Sequence, residues 1–292
     1  VKTTTMANLY PTDPHEPTAV ESLYTPVTAP LDESLYRPDG VGERWSSIFY
    51  PPALPAPKSI LDAVTWIQDG TTPLRFLDGL TIRQANFGLS DQFGVWGEDW
   101  CASPDDTKVK ERPDAVFVDV APLTVYAYDQ NECGDLTADS RQEVRDRVAQ
   151  IMAMTEGKAV ETYVSLRILD DLPAPVTAAS VTEAVSILET ELAKAGVTGY
   201  LHASPKWAAY LNDSRLSLSG KSPMGHTWVF GGGYADTLGD TIVATTPLYG
   251  WRGPLTLRDA IKHELNQYVA VAERSLLIAY EAAIAAVTIE GV

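Results

Sequence analysis

The chain has 292 residues and a formal net charge of −17, from 22 Lys and Arg against 39 Asp and Glu. A compact chain of that length buries about three-quarters of its unfolded surface, and the acidic balance excludes a protein that grips nucleic acid by neutralising phosphates, which needs Lys and Arg in excess. No apolar run approaches the ~20 residues of a membrane span, the start "VKTTTMANLYPTDP" carries no hydrophobic signal segment, and Cys101 and Cys133 form no C-x-x-C pair, so the chain reads as made in the cytosol with two ordinary thiols.

Ten of the 20 prolines fall within the first 60 residues. Each fixes φ and removes a donor, which rules out a helix or an inner strand there. The same segment carries Tyr10, Tyr24, Tyr36, Trp45 and Phe49, and three of its sites repeat the pair Leu-Tyr. An extended arm that lays apolar anchors onto another surface accounts for both features, since disordered segments are poor in aromatics. From Ser59 the phrase "SILDAVTWIQDG" predicts a short capped helix ending at Gly70. Residues 80 to 130 turn β-like. There "GVWGEDW", with Trp96 and Trp100, and "AVFVDVAPLTVYAYDQ" flank the polar "CASPDDTKVKERPD", a pattern that predicts a long projecting hairpin.

The clearest helix is predicted from Thr137 to Tyr163, with Val144, Val148, Ile151, Met152, Thr155 and Ala159 on one stripe and Gly157 ending or bending it. A second opens on the capping box Ser180-Val-Thr-Glu183 and stops at Gly196. A strand "TGYLHA", a short helix from Ser204-Pro205 to Leu211 and strands at 226–230 and 240–246 follow, making 176–254 a compact α/β unit. The C-terminal run "RDAIKHELNQYVAVAERSLLIAYEAAIAAVTIEGV" drifts from polar and helical to apolar and β-like, ending in a buried strand.

Several stretches mimic chemical motifs and fail on spacing. "RLSLSGKSPMGHTWVFGGGYADTLGD" contains Gly-Lys-Ser, but a phosphate loop needs glycine where Arg215 stands and a helix after Ser222, where Pro223 follows instead. Gly231, Gly232 and Gly233 lack the G-x-G-x-x-G spacing, and no helical pattern follows them, so they read as a loop in which glycine permits positive φ. His263-Glu264 begins like a zinc-protease helix, with Gln267 in place of the second histidine. Asp105-Asp106 and Asp170-Asp171 serve as a glycosidase pair only if the fold brings them to about 5–10 Å, and Trp96, Trp100, Trp207, Trp228 and Trp251 line a sugar cleft or pack a core. No convergent catalytic set, cofactor site or metal site emerges.

Taken in order, these segments resemble the major capsid proteins of tailed bacteriophages, the HK97-like fold. The strongest likeness is "HELNQYVAVAERSLLIAYEAAIAAVTIEG", with its pair Glu273-Arg274 and the aromatic Tyr280, together with "TGYLHASPKWAAYL" and "TWVFGGGYADT". The resemblance implies an α+β fold with residues 1–60 as N-terminal arm and 61–130 as a short helix and E-loop hairpin. Residues 131–175 and 255–292 would form a peripheral domain with a long spine helix, and 176–254 an axial domain whose glycines lie near a capsomer axis. It further implies a non-enzymatic subunit of a virion shell, made in the host cytoplasm. Partners would be other copies in hexamers and pentamers, scaffolding and portal proteins and a decoration protein, with DNA enclosed without sequence-specific binding and no membrane involved. Assembly contacts are then expected from Tyr10, Tyr24, Tyr36, Trp45, Phe49, Trp96, Trp100, Gly231, Gly232, Gly233, Glu273 and Arg274. Two other readings stay open: an encapsulin-type nanocompartment shell, and a carbohydrate-active enzyme built on two carboxylates.

Overall fold

The computed structural model describes residues 52–70, 79–86, 114, 116–131 and 136–290. Tyr10, Tyr24, Tyr36, Trp45, Phe49, Trp96, Trp100 and the Asp105-Asp106 pair lie outside those residues. Ser59 starts the first described element with a capping box, accepting from the Leu61 N–H while Asp62 accepts from its own N–H at 2.8 Å. Only one 3-10 turn, Ile60–Asp62, follows. The helix expected as far as Gly70 is instead a strand, β1 (Thr65–Asp69), because Thr65, Trp66 and Ile67 favour an extended backbone that finds a parallel partner. β2 (Leu80–Arg83) and β3 (Phe117–Val120) form an antiparallel ribbon, and β4 (Leu123–Asn131) begins after Pro122 breaks the long β-like run in two.

Helix α1 (Ala138–Asp171) is 34 residues long, about 50 Å. It passes straight through Gly157, where the sequence predicted a bend or an end. A Cβ there would lie 2.5 Å from the Cβ of Ser59, so this glycine lets the capped turn sit against the helix. The buried positions Val144, Val148, Met152, Glu156, Val160, Val164 and Ile168 step by four residues, which rotates the buried side about 40° per step. Ile151, Thr155 and Ala159 consequently face outward rather than joining the stripe. The precession turns the first half of α1 towards one sheet and the second half towards the glycine-rich segment.

Beyond α1 come β5 (Val176–Ala178) and α2 (Val181–Ala195), bounded by Ser180 and by a left-handed Gly196 as its sequence predicted. Next are β6 (Tyr200–Ala203) and α3 (Trp207–Asp213), which starts after the Ser204-Pro205 turn instead of on it. β7 (Thr227–Phe230) leads into α4 (Gly232–Thr237). That helix corrects the loop reading of the glycines, and their φ angles are not positive. Closeness explains them: a Cβ on Gly231 would sit 1.9 Å from a Glu161 carboxylate oxygen, and one on Gly233 would sit 2.4 Å from the Lys158 carbonyl. Gly231→Ala is expected to lower stability by about 1–3 kcal/mol, as overpacking does, read as a shifted urea midpoint. Gly232→Ala, which meets only Lys158 side-chain atoms at 3.9 Å or more, should be neutral.

The chain ends with β8 (Thr241–Thr245), β9 (Tyr249–Arg252), β10 (Thr256–Lys262), β11 (Gln267–Ala279) and β12 (Ala283–Ile289). The polar run expected to be helical is therefore the β10–β11 hairpin, turned by a 3-10 segment His263–Leu265 and a left-handed Asn266. In the first sheet β11 pairs with β4 along one edge and with β10 and then β9 along the other, with β1 beyond β9. The second sheet runs β5-β12-β8-β6-β7, so the expected buried closing strand β12 lies inside the sheet of the 176–254 block. One core joins α1, α4 and the first sheet, and another packs α2 and α3 on the second.

Candidate assembly surface

Three polar junctions along α1, the first two at buried glutamates, fix the frame on which any outer surface stands. Glu156 receives Arg274 Nη1 at 2.9 and 3.1 Å, tying the helix to β11. Burial pushes its carboxyl above the ordinary range, against the pull of Arg274. Five residues on, Glu161 accepts from the Ile60 N–H at 2.9 Å and the Gly233 N–H at 2.8 Å, locking the capped turn and α4 to the helix. Burial raises this carboxyl too, while the two N–H donors oppose the rise. Near the C-terminus, Arg167 Nε donates to the Tyr280 hydroxyl at 3.2 Å, and that hydroxyl donates to Asp171 at 2.5 Å. The Arg167 guanidinium also lies 4.5 Å over the Tyr280 ring.

The structure places the expected residues as follows. Arg274 turns inward to Glu156, and Glu273 pairs across the sheet with Arg258 at 2.7 Å. Gly231 and Gly233 are buried against α1, and Gly232 is exposed. Glu156 and Glu161 were missed by the sequence reading, although Glu156 stands in the four-residue apolar series of α1, a position where an acid signals a buried partner.

A second group that the sequence reading did not single out is the outer face of the first sheet. Along β4, Val125 and Ala127 point to the core while Tyr126 and Tyr128 alternate outward, 57% and 61% exposed. Their cross-strand neighbours are Glu273 and Val271 of β11. On the ribbon, Phe117 is 60% exposed. Exposed aromatic side chains of this kind are the ones that interfaces favour. The signal lay in the alternation of "TVYAYDQ", where the small residues turn in and the large ones out.

The motif-like stretches are placed differently from a catalytic centre. Gly220 and Lys221 sit in a tight turn with Gly220 at φ 75°. The Glu189 carboxylate accepts from Ser222 Oγ and the Met224 N–H, so an acid fills the region a phosphate would need. Asp171 is engaged by Tyr280. Trp207 and Trp228 are core residues, and Trp251 packs beside the ribbon's base. Among the described residues no group of three His, Cys, Asp or Glu side chains is placed to hold a metal ion, and no helix is long and apolar enough to cross a membrane.

No family model and no curated protein matches the chain by sequence. Solved structures do. A structure from Mycobacterium phage Che8 aligns over 87% of this chain and 98% of its own, with a TM-score of 0.52 and 14% identity. The capsid of an empty GTA particle aligns over 83% and 100%, at 0.50 and 13%. A virus-like particle from Pyrococcus furiosus aligns over 80% and 92%, at 0.50 and 14%. The likeness establishes the fold: this chain has the HK97-like capsid fold that its order of segments resembled.

Proposed function

We propose that the chain is the major capsid protein of a tailed phage, assembling with copies of itself into a closed icosahedral shell around double-stranded DNA. The observation that carries this reading is the near end-to-end alignment with the Che8 structure and the GTA capsid. On it, α1 is the spine helix of a peripheral domain, the β2–β3 ribbon is the base of the E-loop, the second sheet belongs to the axial domain, and residues 1–60 are the arm. The role is structural rather than enzymatic. Scaffolding, portal and decoration proteins are the expected further partners, and the virion is the expected location.

Two physical features support it. Tyr126, Tyr128 and Phe117 leave aromatic surface in water that a neighbouring copy would cover. The charge of −17 lets a shell confine DNA without adhering to it. Many modest contacts then add through multivalency into a durable particle.

Purified protein is expected to form closed particles visible by electron microscopy. Particles from infected cells should show the absorbance ratio of packaged nucleic acid, whereas empty shells holding protein cargo would identify a nanocompartment. A stable monomer at all concentrations would overturn the proposal. Replacing Tyr126 and Tyr128 together by serine should leave the unfolding midpoint nearly unchanged, since both side chains are exposed, yet raise the concentration needed for assembly about tenfold or more.

A further inference from the structure

We propose that Glu281 is a positioning residue whose carboxylate clamps the base of the β2–β3 ribbon at one angle to the body of the subunit, an inference whose use in assembly rests on the shell reading above. Glu281 lies between β11 and β12 and is 5% exposed, an unusual burial for a glutamate. Both carboxylate oxygens are used on one residue: Oε2 accepts from the Asn86 N–H and Oε1 from Asn86 Nδ2, each at 2.9 Å. The Glu281 carbonyl accepts from Gln84 Nε2 at 2.6 Å. Gln84 continues the ribbon ladder by donating its N–H to the Val116 carbonyl at 3.0 Å, so the clamp grips the two residues through which β2 leaves the sheet.

The clamp is anchored behind as well as in front. Thr246 Oγ1, in the connection from β8 to β9, accepts from the N–H groups of Glu281 at 2.9 Å and Ala282 at 3.1 Å. Thr246 returns its own N–H to the Ala282 carbonyl at 3.0 Å. The adjacent Tyr280 is fixed to the end of α1 through Asp171 and Arg167. Glu281 thus joins the ribbon to a point where α1 and both sheets meet.

Apolar packing alone would not set an angle. At its base the ribbon rests Leu80, Ile82 and Val118 on Leu277, Ala279 and Trp251, contacts that are non-directional and allow rocking. Two parallel hydrogen bonds to one carboxylate are directional and charge-assisted, and they define an orientation. At the other end of β2, Gly79 has φ 85°, and a Cβ there would lie 2.6 Å from the Val120 carbonyl, so the strand's entry is fixed too. In a shell, the angle at which the ribbon leaves its subunit decides where its exposed Phe117 meets the next copy.

The test exchanges donor and acceptor. The single variants are Glu281→Leu, which removes both acceptors, and Asn86→Asp, which sets two carboxylates face to face. In the double variant Asn86→Asp with Glu281→Gln, the new amide faces the new carboxylate and the remaining oxygen still accepts the backbone N–H, so the pair is restored with its roles reversed. Hydrogen–deuterium exchange on the full-length unassembled subunit should accelerate about tenfold or more at residues 80–86 and 116–120 in each single variant, with β11 and β12 unchanged. The double variant should return to within about threefold of the parent. Shells from the single variants should broaden in diameter and those from the double variant narrow again. Unchanged exchange in the single variants, acceleration spread equally over β11 and β12, no recovery in the double variant, or unaltered shells from the single variants would each overturn the inference. Failure of the parent protein to form shells would sink the shell reading alone, because the exchange pattern reports the clamp in the free subunit.

Discussion

Arg274→Ala is expected to destabilise the subunit by about 3–5 kcal/mol, the range for breaking a buried ion pair from one side. Glu156 keeps only 8% of its side chain exposed and Arg274 only 20%. Burial already raises the Glu156 carboxyl, so the charged form is held there at a cost that Arg274 offsets in part. Removing the guanidinium leaves the carboxylate between α1 and β11 without its hydrogen-bonded partner, with only the attraction of Arg252 to offset its burial. The Arg274 Nε is itself buried without a hydrogen-bond partner among the described residues, so this pair is retained in spite of desolvation. Two comparisons make the expectation sharp. The double replacement Glu156→Met with Arg274→Met should cost less than the single Arg274→Ala, because no charge is stranded. Lys194→Ala, which breaks the exposed pair with Glu191, should change stability by less than about 1 kcal/mol. Urea unfolding of the three variants reads the order directly, and an Arg274→Ala loss no larger than that of Lys194→Ala would contradict it.

What could be read in the sequence was what is encoded locally. Helix α2 carries its start in Ser180 and Glu183 and its stop in Gly196, all within its own span, and its bounds came out as expected. α1 was expected to falter at Gly157 because glycine weakens a helix by about 1 kcal/mol relative to alanine. The compensation comes from Ser59, far away in sequence, through a contact no local pattern records. The same holds for Gly231 and Gly233, whose requirement is set by Glu161 and Lys158 on another helix, and the six-residue α4 is too short to show a period. "RDAIKHELNQ" has helical composition but is drawn into a hairpin by pairing β10 with β11 from Thr256 to Lys262. Tertiary pairing overrides propensity there. The order of segments was enough to suggest the capsid fold. The place of Glu156 in the apolar series of α1 marked it as buried, but the partners of Glu156, Glu161 and Glu281 were not legible, because each has at least one partner more than a hundred positions away.

The second large effect is expected from pH and centres on His202. The ring lies fully buried on β6, with Nδ1 2.9 Å from the Tyr234 hydroxyl and Nε2 2.9 Å from Thr245 Oγ1. Burial pushes its pKa down to about 3, so the folded protein holds it neutral, donating from one nitrogen and accepting at the other. An unfolded histidine titrates near 6.5. Below that value the unfolded chain takes up a proton that the folded one refuses, and stability should fall by up to about 1.4 kcal/mol per pH unit until pH approaches 3. Glu156 and Glu161 act in the opposite direction, since raised folded pKa values make acidification relieve their buried charge. Burial, reinforced by the Glu161 carboxyl on α1, raises the Tyr234 hydroxyl's pKa well above its ordinary value, leaving it protonated throughout this window. The histidine contribution is isolated by His202→Gln, which keeps the carboxylates and one hydrogen bond but has no basic nitrogen. Between pH 6 and 4 the parent should lose stability more steeply than the variant, by up to about 1.4 kcal/mol per unit, although the variant starts lower at pH 7. The ring resonances of His202 in the folded parent should stay those of a neutral imidazole down to pH 4. Parallel pH profiles for the two proteins, or a ring that titrates near 6.5 in the folded state, would show that the His202–Tyr234–Thr245 network does not exclude the proton.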